Sequence, residues 1–138
     1  AYARAYAGLA DSYVLLSSVA YGSIPTKEAM NKAKAAAKQA LEIDENLCES
    51  HTSLGIVLLK SDWNWAEAEF AFRRAVEINP EYAPAHYWYS NLLAITGRGA
   101  EAVRFGTKAA ELDPFSPLVD INLARLNYYA GRYDEAFQ

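Results

Sequence analysis

The sequence predicts an all-α fold, an α-solenoid of stacked helical hairpins with about three and a half repeats in 138 residues. Alanine occurs 26 times, against 7 glycines and 5 prolines, and β-branched residues are sparse, a balance that favours helix over sheet. Residues 40–45 recur in similar form as residues 75–80 and 109–114, at steps of 35 and 34 residues. A repeat of this length is typical of helical-hairpin arrays, in which each hairpin buries its apolar face against the next.

Each repeat divides into two helices joined by short turns, and small residues recur in phase in both helices. In the first helices they occur at Leu54-Gly55, Tyr89-Ser90 and Leu123-Ala124, and in the second helices at Ala33, Ala68, Ala102 and Ala136. We expect first helices over residues 2–18, 47–61, 82–96 and 116–130, and second helices over residues 26–43, 65–78, 99–112 and from residue 133. The repeats then cover about residues 2–46, 47–81, 82–115 and 116–138 of a single domain, residues 1–138.

The first repeat is longer than the others. Leu9-Ala10 matches Leu54-Gly55, but the two pairs are 45 residues apart, which leaves about 11 extra residues between residues 17 and 32. Residues 22–25, Gly-Ser-Ile-Pro, mark a turn in this segment. Pro25 suits the start of the second helix, because the first turn of a helix needs no backbone donor.

The later helices carry start and stop signals at the expected places. Asn64, with Glu67 three residues later, forms a plausible capping pair for the second helix of the second repeat. Glycine suits the left-handed residue that follows a helix, and proline suits a helix start or the residue after a helix. The glycines at such positions are Gly97 and Gly131, and the prolines are Pro80, Pro84, Pro114 and Pro117.

These residues resemble the tetratricopeptide repeat (TPR), a helical hairpin of 34 residues. The second repeat matches the family pattern best, through Leu54-Gly55, Ala68, Phe72, Ala75 and Pro80. At the position where the family usually has Trp, the four repeats have Tyr6, His51, His86 and Asp120. In the third repeat Gly106 occupies the position that Phe72 occupies in the second. The resemblance covers nearly the whole chain. Residues 6–13 and 63–65 are also similar to TPR regions attached to bacterial signalling proteins.

The resemblance implies a right-handed superhelix whose first helices line a concave face. Carried over slot by slot, it predicts a groove that binds a peptide or a docked helix. The candidate groove residues are Thr52, Ile56 and Lys60 in the second repeat, Tyr87, Asn91 and Ile95 in the third, and Arg125 and Tyr128 in the fourth. Leu59, Ala94, Ile121 and Tyr129 occupy neighbouring slots, and Ala7, Asp11 and Val14 are the matching positions of the first repeat.

One TPR subclass clamps the C-terminal carboxylates of heat-shock chaperones with lysine and asparagine at defined slots. Here the lysine slots hold Thr52, Tyr87 and Ile121, with Ala7 in the first repeat, and only Asn91 and Arg125 match in kind. We therefore predict that this chain does not use the chaperone clamp.

Composition and motifs argue against several other classes of function. The net charge of −4 does not supply the basic surface of a general nucleic-acid binder, and no apolar run approaches the ~20 residues that cross a bilayer. We expect no membrane contact, no cofactor and no metal. Cys48 and His51 could share a helix face, but they are too few for a zinc site, and His51 more simply fills a packing slot. No motif of a hydrolase, phosphate loop or dinucleotide-binding site is present.

We therefore expect a non-catalytic protein-interaction module, and not an enzyme. The alternative is a sensor or self-association segment of a bacterial transcription regulator, nucleotide cyclase or Ser/Thr kinase. The chain lacks an initial Met and ends in the apparent first turn of a helix, so we expect a fragment of a longer, cytoplasmic protein. A homodimer could form through apolar residues of the terminal repeats, Tyr2, Tyr6, Tyr133 and Phe137. Trp63 and Trp65 either anchor a partner or, as we favour, one or both of them pack between adjacent hairpins.

Overall fold

The computed structural model describes residues 2–18 and 24–131, which contain seven α-helices and no β-strand. The helices are α1 (Tyr2–Leu16), α2 (Thr26–Ile43), α3 (Cys48–Lys60), α4 (Trp65–Ile78), α5 (Ala83–Ile95), α6 (Gly99–Leu112) and α7 (Pro117–Tyr129). Their ends agree with the predicted ones to within two residues, so the all-α hairpin prediction is confirmed. The further helix that we predicted from residue 133 lies outside the described residues.

The chain falls into two compact units, one that ends at Pro80 and one that begins at Glu81. In the first unit α1 packs on α2 and α3, and α3 packs on α2 and α4. In the second unit α6 packs on α5 and α7, and α5 also contacts α7. First helices of successive repeats therefore lie side by side within each unit, α1 with α3 and α5 with α7.

Alanine dominates the contact between α1 and α2. Ala7 and Ala40 belong to one buried cluster, and Ala10 and Ala37 belong to the next. A methyl side chain lets two helix backbones approach closely, which explains why alanine is so frequent in this repeat. Near the start of α2 the buried cluster contains larger side chains, Met30 and Val57, with Tyr13 and Val14 packed against it.

The slot of Phe72 is filled differently in the two units. Phe72 is fully buried in α4 of the first unit, whereas Gly106 occupies the equivalent slot in α6 of the second. A β-carbon at Gly106 would lie 2.6 Å from Cδ1 of Leu126 in α7. Leu126 therefore fills, from the neighbouring helix, the space that a large side chain on α6 would need. The departure of Gly106 from the family pattern thus has a packing reason.

The turn between α3 and α4 explains why the first of these repeat steps is 35 residues and the later ones are 34. Four residues, 61–64, separate these helices, whereas three residues, 96–98, separate α5 from α6. In the longer turn Trp63 takes the left-handed conformation, with φ 54°. In the two later turns glycine takes this conformation, Gly97 with φ 79° and Gly131 with φ 78°. The prediction that both glycines take this conformation is confirmed.

The predicted helix starts are also confirmed. The side-chain oxygen of Asn64 accepts a hydrogen bond from the backbone N–H of Glu67 at 3.3 Å. Pro84 and Pro117 lie in the first turns of α5 and α7. In the first repeat, α2 has 18 residues against 14 in α4, so part of the extra length extends this helix. Among the described residues, no helix has the length and apolar character needed to span a membrane.

Candidate functional site

A chain of polar contacts joins α5 to α7 in the second unit. Nη2 of Arg125 donates a hydrogen bond to Oδ1 of Asn91 and another, of 2.6 Å, to Oδ1 of Asn122. Nδ2 of Asn122 in turn donates to Oγ of Ser90 at 3.2 Å, in a buried position. Two groove residues predicted one repeat apart, Asn91 and Arg125, are therefore in direct contact.

The backbone of α5 holds this cluster in place. Nδ2 of Asn91 and Oγ of Ser90 both donate to the carbonyl oxygen of Tyr87, at 2.8 and 2.6 Å. Burial raises the pKa of the Tyr87 phenol above its usual value, while nearby Arg125 and a hydrogen bond with Asn91 partly oppose that rise. Tyr87 thus belongs to the same polar cluster and stays neutral at physiological pH.

Arg125 is an anchored cation with unused hydrogen-bonding capacity. Its guanidinium group carries five N–H donors, and both hydrogen bonds described above come from Nη2. No carboxylate among the described residues forms an ion pair with it, and its side chain is exposed. The Nε and Nη1 donors of Arg125 can therefore bind an acceptor from outside the chain, and a carboxylate is the strongest match.

The other predicted groove residues of the second unit lie at the surface. Ile95, at the end of α5, and Tyr128, on α7, each expose more than half of their side chains, and the Tyr128 ring contacts that of Tyr129 at 5.8 Å. Ile121, in the slot of Tyr87, is more exposed still.

The predicted residues of the first unit differ in exposure. Thr52 and Ile56 are buried, and the Thr52 hydroxyl donates to the Cys48 carbonyl oxygen at 2.8 Å. Lys60 is exposed and borders a surface depression of about 370 Å³ that Thr26 and other residues also line. Thr52 and Ile56 thus offer little surface to a ligand, whereas Lys60 is exposed.

A polar contact also joins the first helices of the first unit. The Ser53 hydroxyl of α3 donates to the Asp11 carboxylate of α1. Burial raises the pKa of Asp11, the bond from Ser53 opposes the rise, and nearby Glu49 adds to it. Ser53 and Asn122 occupy the same repeat slot, one that the sequence analysis did not single out. The sequence signal that could have found this position is a polar residue directly before the recurring leucine, Ser53 before Leu54 and Asn122 before Leu123.

The two histidines contact a neighbouring ring or a backbone carbonyl, and the tryptophans at the α3–α4 turn are exposed. His86 is buried and stacks on Phe105 with ring centroids 5.7 Å apart, as expected for a packing slot, and Nε2 of His51 lies 2.9 Å from the Glu45 carbonyl oxygen. Trp63 is 72% exposed and so does not pack between hairpins, whereas Trp65 is 40% exposed, and the prediction that one or both pack there stays a prediction for Trp65. Within residues 2–18 and 24–131, no three His, Cys, Asp or Glu side chains gather into a group that could hold a metal ion.

Curated proteins similar to the chain are much longer than it is. The transcriptional regulator HilA of Salmonella typhimurium is 28% identical over 134 residues, which make up 96% of this chain and 24% of HilA. The protein O-mannosyl-transferase Tmtc2 of Drosophila melanogaster is 34% identical over 61 residues, 44% of this chain and 6% of Tmtc2. The chain thus spans no more than about a quarter of either relative. No family model matches it.

Solved structures similar to the chain include TPR proteins. YrrB, described as a TPR protein with an unusual peptide-binding site, is 26% identical, with a TM-score of 0.68 over 97% of this chain and 63% of its own. The first TPR domain of RPAP3, solved with the HSP90 peptide SRMEEVD, is 15% identical, with a TM-score of 0.74 over 94% of both chains. The in-phase repeat, the paired helices and these likenesses agree on the fold, and the chain has the all-α, helical-hairpin fold of tetratricopeptide-repeat proteins.

Proposed function

We propose that the chain is a non-catalytic protein-interaction module that binds a peptide or a helix along its first helices, with the contact surface centred on α5 and α7. The observation that carries the proposal is Arg125, an exposed guanidinium group that two asparagine side chains hold in place and that has no ion-pair partner within the described part of the chain. A fixed cation beside amide and aromatic groups suits an acidic polypeptide.

The proposed contact residues in the second unit are Tyr87, Asn91, Ile95, Arg125 and Tyr128. They combine an amide that can bind a peptide backbone, a cation and large apolar surfaces, which is the composition of an interface hot spot. In the first unit Lys60 stays a proposed contact residue, while Thr52 and Ile56 are left out because their side chains are buried. The similarity to TPR domains that bind peptides supports this assignment.

The test is a displayed library of random peptides selected on the chain, followed by fluorescence anisotropy of the selected peptides. Arg125→Gln should weaken binding by about tenfold or more, because it removes a charge-assisted hydrogen bond. Arg104→Gln is the matched control, since Arg104 is an exposed arginine of the same unit that lies on the second helix α6. Failure to select any peptide, or equal effects of the two substitutions, would overturn the proposal.

A second candidate function is regulatory, and one observation favours it. The match to the transcriptional regulator HilA runs over 134 residues, nearly the whole chain. In this candidate function the module is the sensing or self-association segment of a bacterial regulator. Reading the complete gene tests it: a DNA-binding, cyclase or kinase domain in the same polypeptide supports it, and a gene that encodes no such domain contradicts it.

Self-association through the first repeat is part of the second candidate function. Tyr2 is exposed and Tyr6 is half-buried, while Tyr133 and Phe137 lie outside the described residues. Multi-angle light scattering of the wild-type chain and of Tyr2→Ser tests this contact. A dimer that weakens in the variant supports it, and a monomer at all concentrations contradicts it.

A further inference from the structure

The first helix of the chain exposes a face that is covered in other first helices. We call Tyr2, Ala5, Gly8, Leu9 and Ser12 the α1 seam. At 100° per residue these positions fall within about 120° of the helix circumference. All five residues are exposed, Tyr2 by 78% and Leu9 by 43%. The seam shares no residue with the predicted groove positions of α1, which are Ala7, Asp11 and Val14.

The repeat spacing identifies the equivalent positions in other repeats. In the second repeat they are Leu47, Ser50, Ser53, Leu54 and Val57, 45 residues after the α1 seam. Four of these are at most 6% exposed, and Leu54 is half-buried. In the fourth repeat the positions of Ala5, Gly8 and Ser12 are occupied by Val119, Asn122 and Leu126, all buried. The face that α1 exposes is therefore a packing face in α3 and α7.

Within each unit, the preceding hairpin covers this face. The helix α3 packs on both α1 and α2, and Val57 shares a buried cluster with Met30 and Ala33 of α2. In the same way α7 packs on both α5 and α6. The covering element is thus a pair of helices, and not a single segment.

A fixed spacing joins the covering helix to the recurring leucine. Leu54 packs against a buried cluster that includes Ala37, 17 residues earlier in the chain. Cδ1 of Leu123 lies 3.4 Å from a β-carbon built at Gly106, which is also 17 residues earlier. In both units, therefore, a residue with at most a methyl side chain faces the leucine. Leu9 is the equivalent leucine of α1.

The composition of the α1 seam does not suit the outer end of an array. Terminal repeats of a helical array need a polar outer face for solubility. None of the five seam residues is charged, and two of them, Tyr2 and Leu9, are large and apolar. The charged residues Arg4 and Asp11 lie on neighbouring faces of the helix. The seam thus resembles the packing faces of α3 and α7 more closely than a cap.

We propose that a further helical hairpin, encoded directly before residue 1 in the same polypeptide, packs on the α1 seam as the α1–α2 hairpin packs on α3. The occupant is a preceding hairpin and not a second copy, because in both units the element that covers this face is the hairpin immediately before it in the same chain. Its second helix buries Leu9 and Ser12 as α2 buries Leu54 and Val57. The proposal does not depend on the peptide-binding function proposed for α5 and α7.

The first test is the sequence of the complete gene. We expect the roughly 34 residues before residue 1 to form two amphipathic helices, the length of one repeat. We also expect alanine, glycine or serine 17 residues before Leu9, the spacing found in both units. A gene that encodes no pair of helices at this place would overturn the proposal.

The second test measures whether the seam is covered, by maleimide labelling of the 138-residue chain and of the polypeptide extended to include the upstream repeat. Ser12→Cys places a thiol on the seam, and Ala66→Cys is the matched control on an exposed face of α4. Burial raises the pKa of the natural Cys48 thiol to about 11, so this residue reacts slowly in every sample. We expect Ser12→Cys to react about tenfold or more slowly in the extended polypeptide than in the 138-residue chain, and Ala66→Cys to react equally in both.

A third variant tests the same packing through stability. No atom lies within 4 Å of a β-carbon built at Gly8, so Gly8→Leu should not lower the melting temperature of the 138-residue chain. In the extended polypeptide the added side chain meets the upstream hairpin, and the melting temperature should fall. Equal labelling of Ser12→Cys in the two polypeptides, or equal effects of Gly8→Leu, would overturn the proposal. If light scattering shows a dimer of the extended polypeptide and only its formation protects Ser12→Cys, a second copy occupies the α1 seam and the proposal is wrong.

Discussion

Gly55 of α3 lies directly against the ring of Phe72 in α4. A β-carbon at Gly55 would be 2.6 Å from Cε1 and 2.8 Å from Cδ1 of that ring, which is fully buried. We expect Gly55→Ala to lower the free energy of unfolding by about 1–3 kcal/mol, because overpacking outweighs the helix propensity that alanine gains. Urea denaturation followed by circular dichroism measures the change.

Gly8 provides the control for that substitution. It lies in the middle of α1 of the same unit, and no atom lies within 4 Å of a β-carbon built there. Gly8→Ala should therefore raise the free energy of unfolding by about 0.5–1 kcal/mol, the difference in helix propensity. A loss of stability in Gly8→Ala equal to that in Gly55→Ala would contradict the close-packing explanation.

The left-handed turn residues predict a second pair of effects. Gly97 has φ 79°, and a side chain there costs about 1–2 kcal/mol, so Gly97→Ala should lower the melting temperature. Trp63 already bears that cost at φ 54°, and its exposed indole loses few contacts on removal. Trp63→Gly should therefore leave the melting temperature unchanged or raise it, despite the added freedom of the unfolded chain. A marked decrease for Trp63→Gly would show that the indole packs in solution.

Asp11 predicts how stability depends on pH. Burial raises the pKa of this carboxyl in the folded state, so the folded chain takes up its proton at a higher pH than the unfolded chain. The charged form opposes folding at neutral pH, and that opposition disappears as the pH falls through the raised pKa. Asp11→Asn keeps an acceptor for the Ser53 hydroxyl without the charge. We expect the variant to be the more stable at pH 7, and the difference in free energy of unfolding to shrink towards pH 4. A difference independent of pH would rule out this role of the charge.

The sequence predicted the helices well because the repeat specifies them several times over. Each hairpin has its own small residues and turn residues at equivalent positions. A helix boundary that is ambiguous in one repeat can therefore be assigned from the next repeat. The left-handed position falls at Trp63 because a single extra residue lengthens the α3–α4 turn. The residue spacing contained that insertion, as a step of 35 between Gly55 and Ser90 against 34 between Ala68 and Ala102.

The candidate site could be predicted only in part. Asn91 of α5 and Arg125 of α7 are in direct contact in the structure. The repeat spacing predicted that these two residues occupy equivalent positions of their helices. It could not predict the bond to Asn122, which depends on the rotamers of two side chains one turn apart on α7. Nor could it predict that Thr52 is buried, because equivalent slots differ in how much of each side chain the surrounding helices cover.

The last prediction concerns the chaperone clamp. The lysine slots of that clamp hold Thr52, Tyr87 and Ile121, and none of these side chains supplies a cation. Arg125 alone cannot replace several lysines around one terminal carboxylate. We expect isothermal titration calorimetry to detect no binding of the HSP90 peptide SRMEEVD, under conditions in which the first TPR domain of RPAP3, solved with that peptide, serves as the positive control. If the peptide does bind, and Asn91→Ala and Arg125→Gln each abolish the binding, the chain uses the clamp and the prediction is wrong.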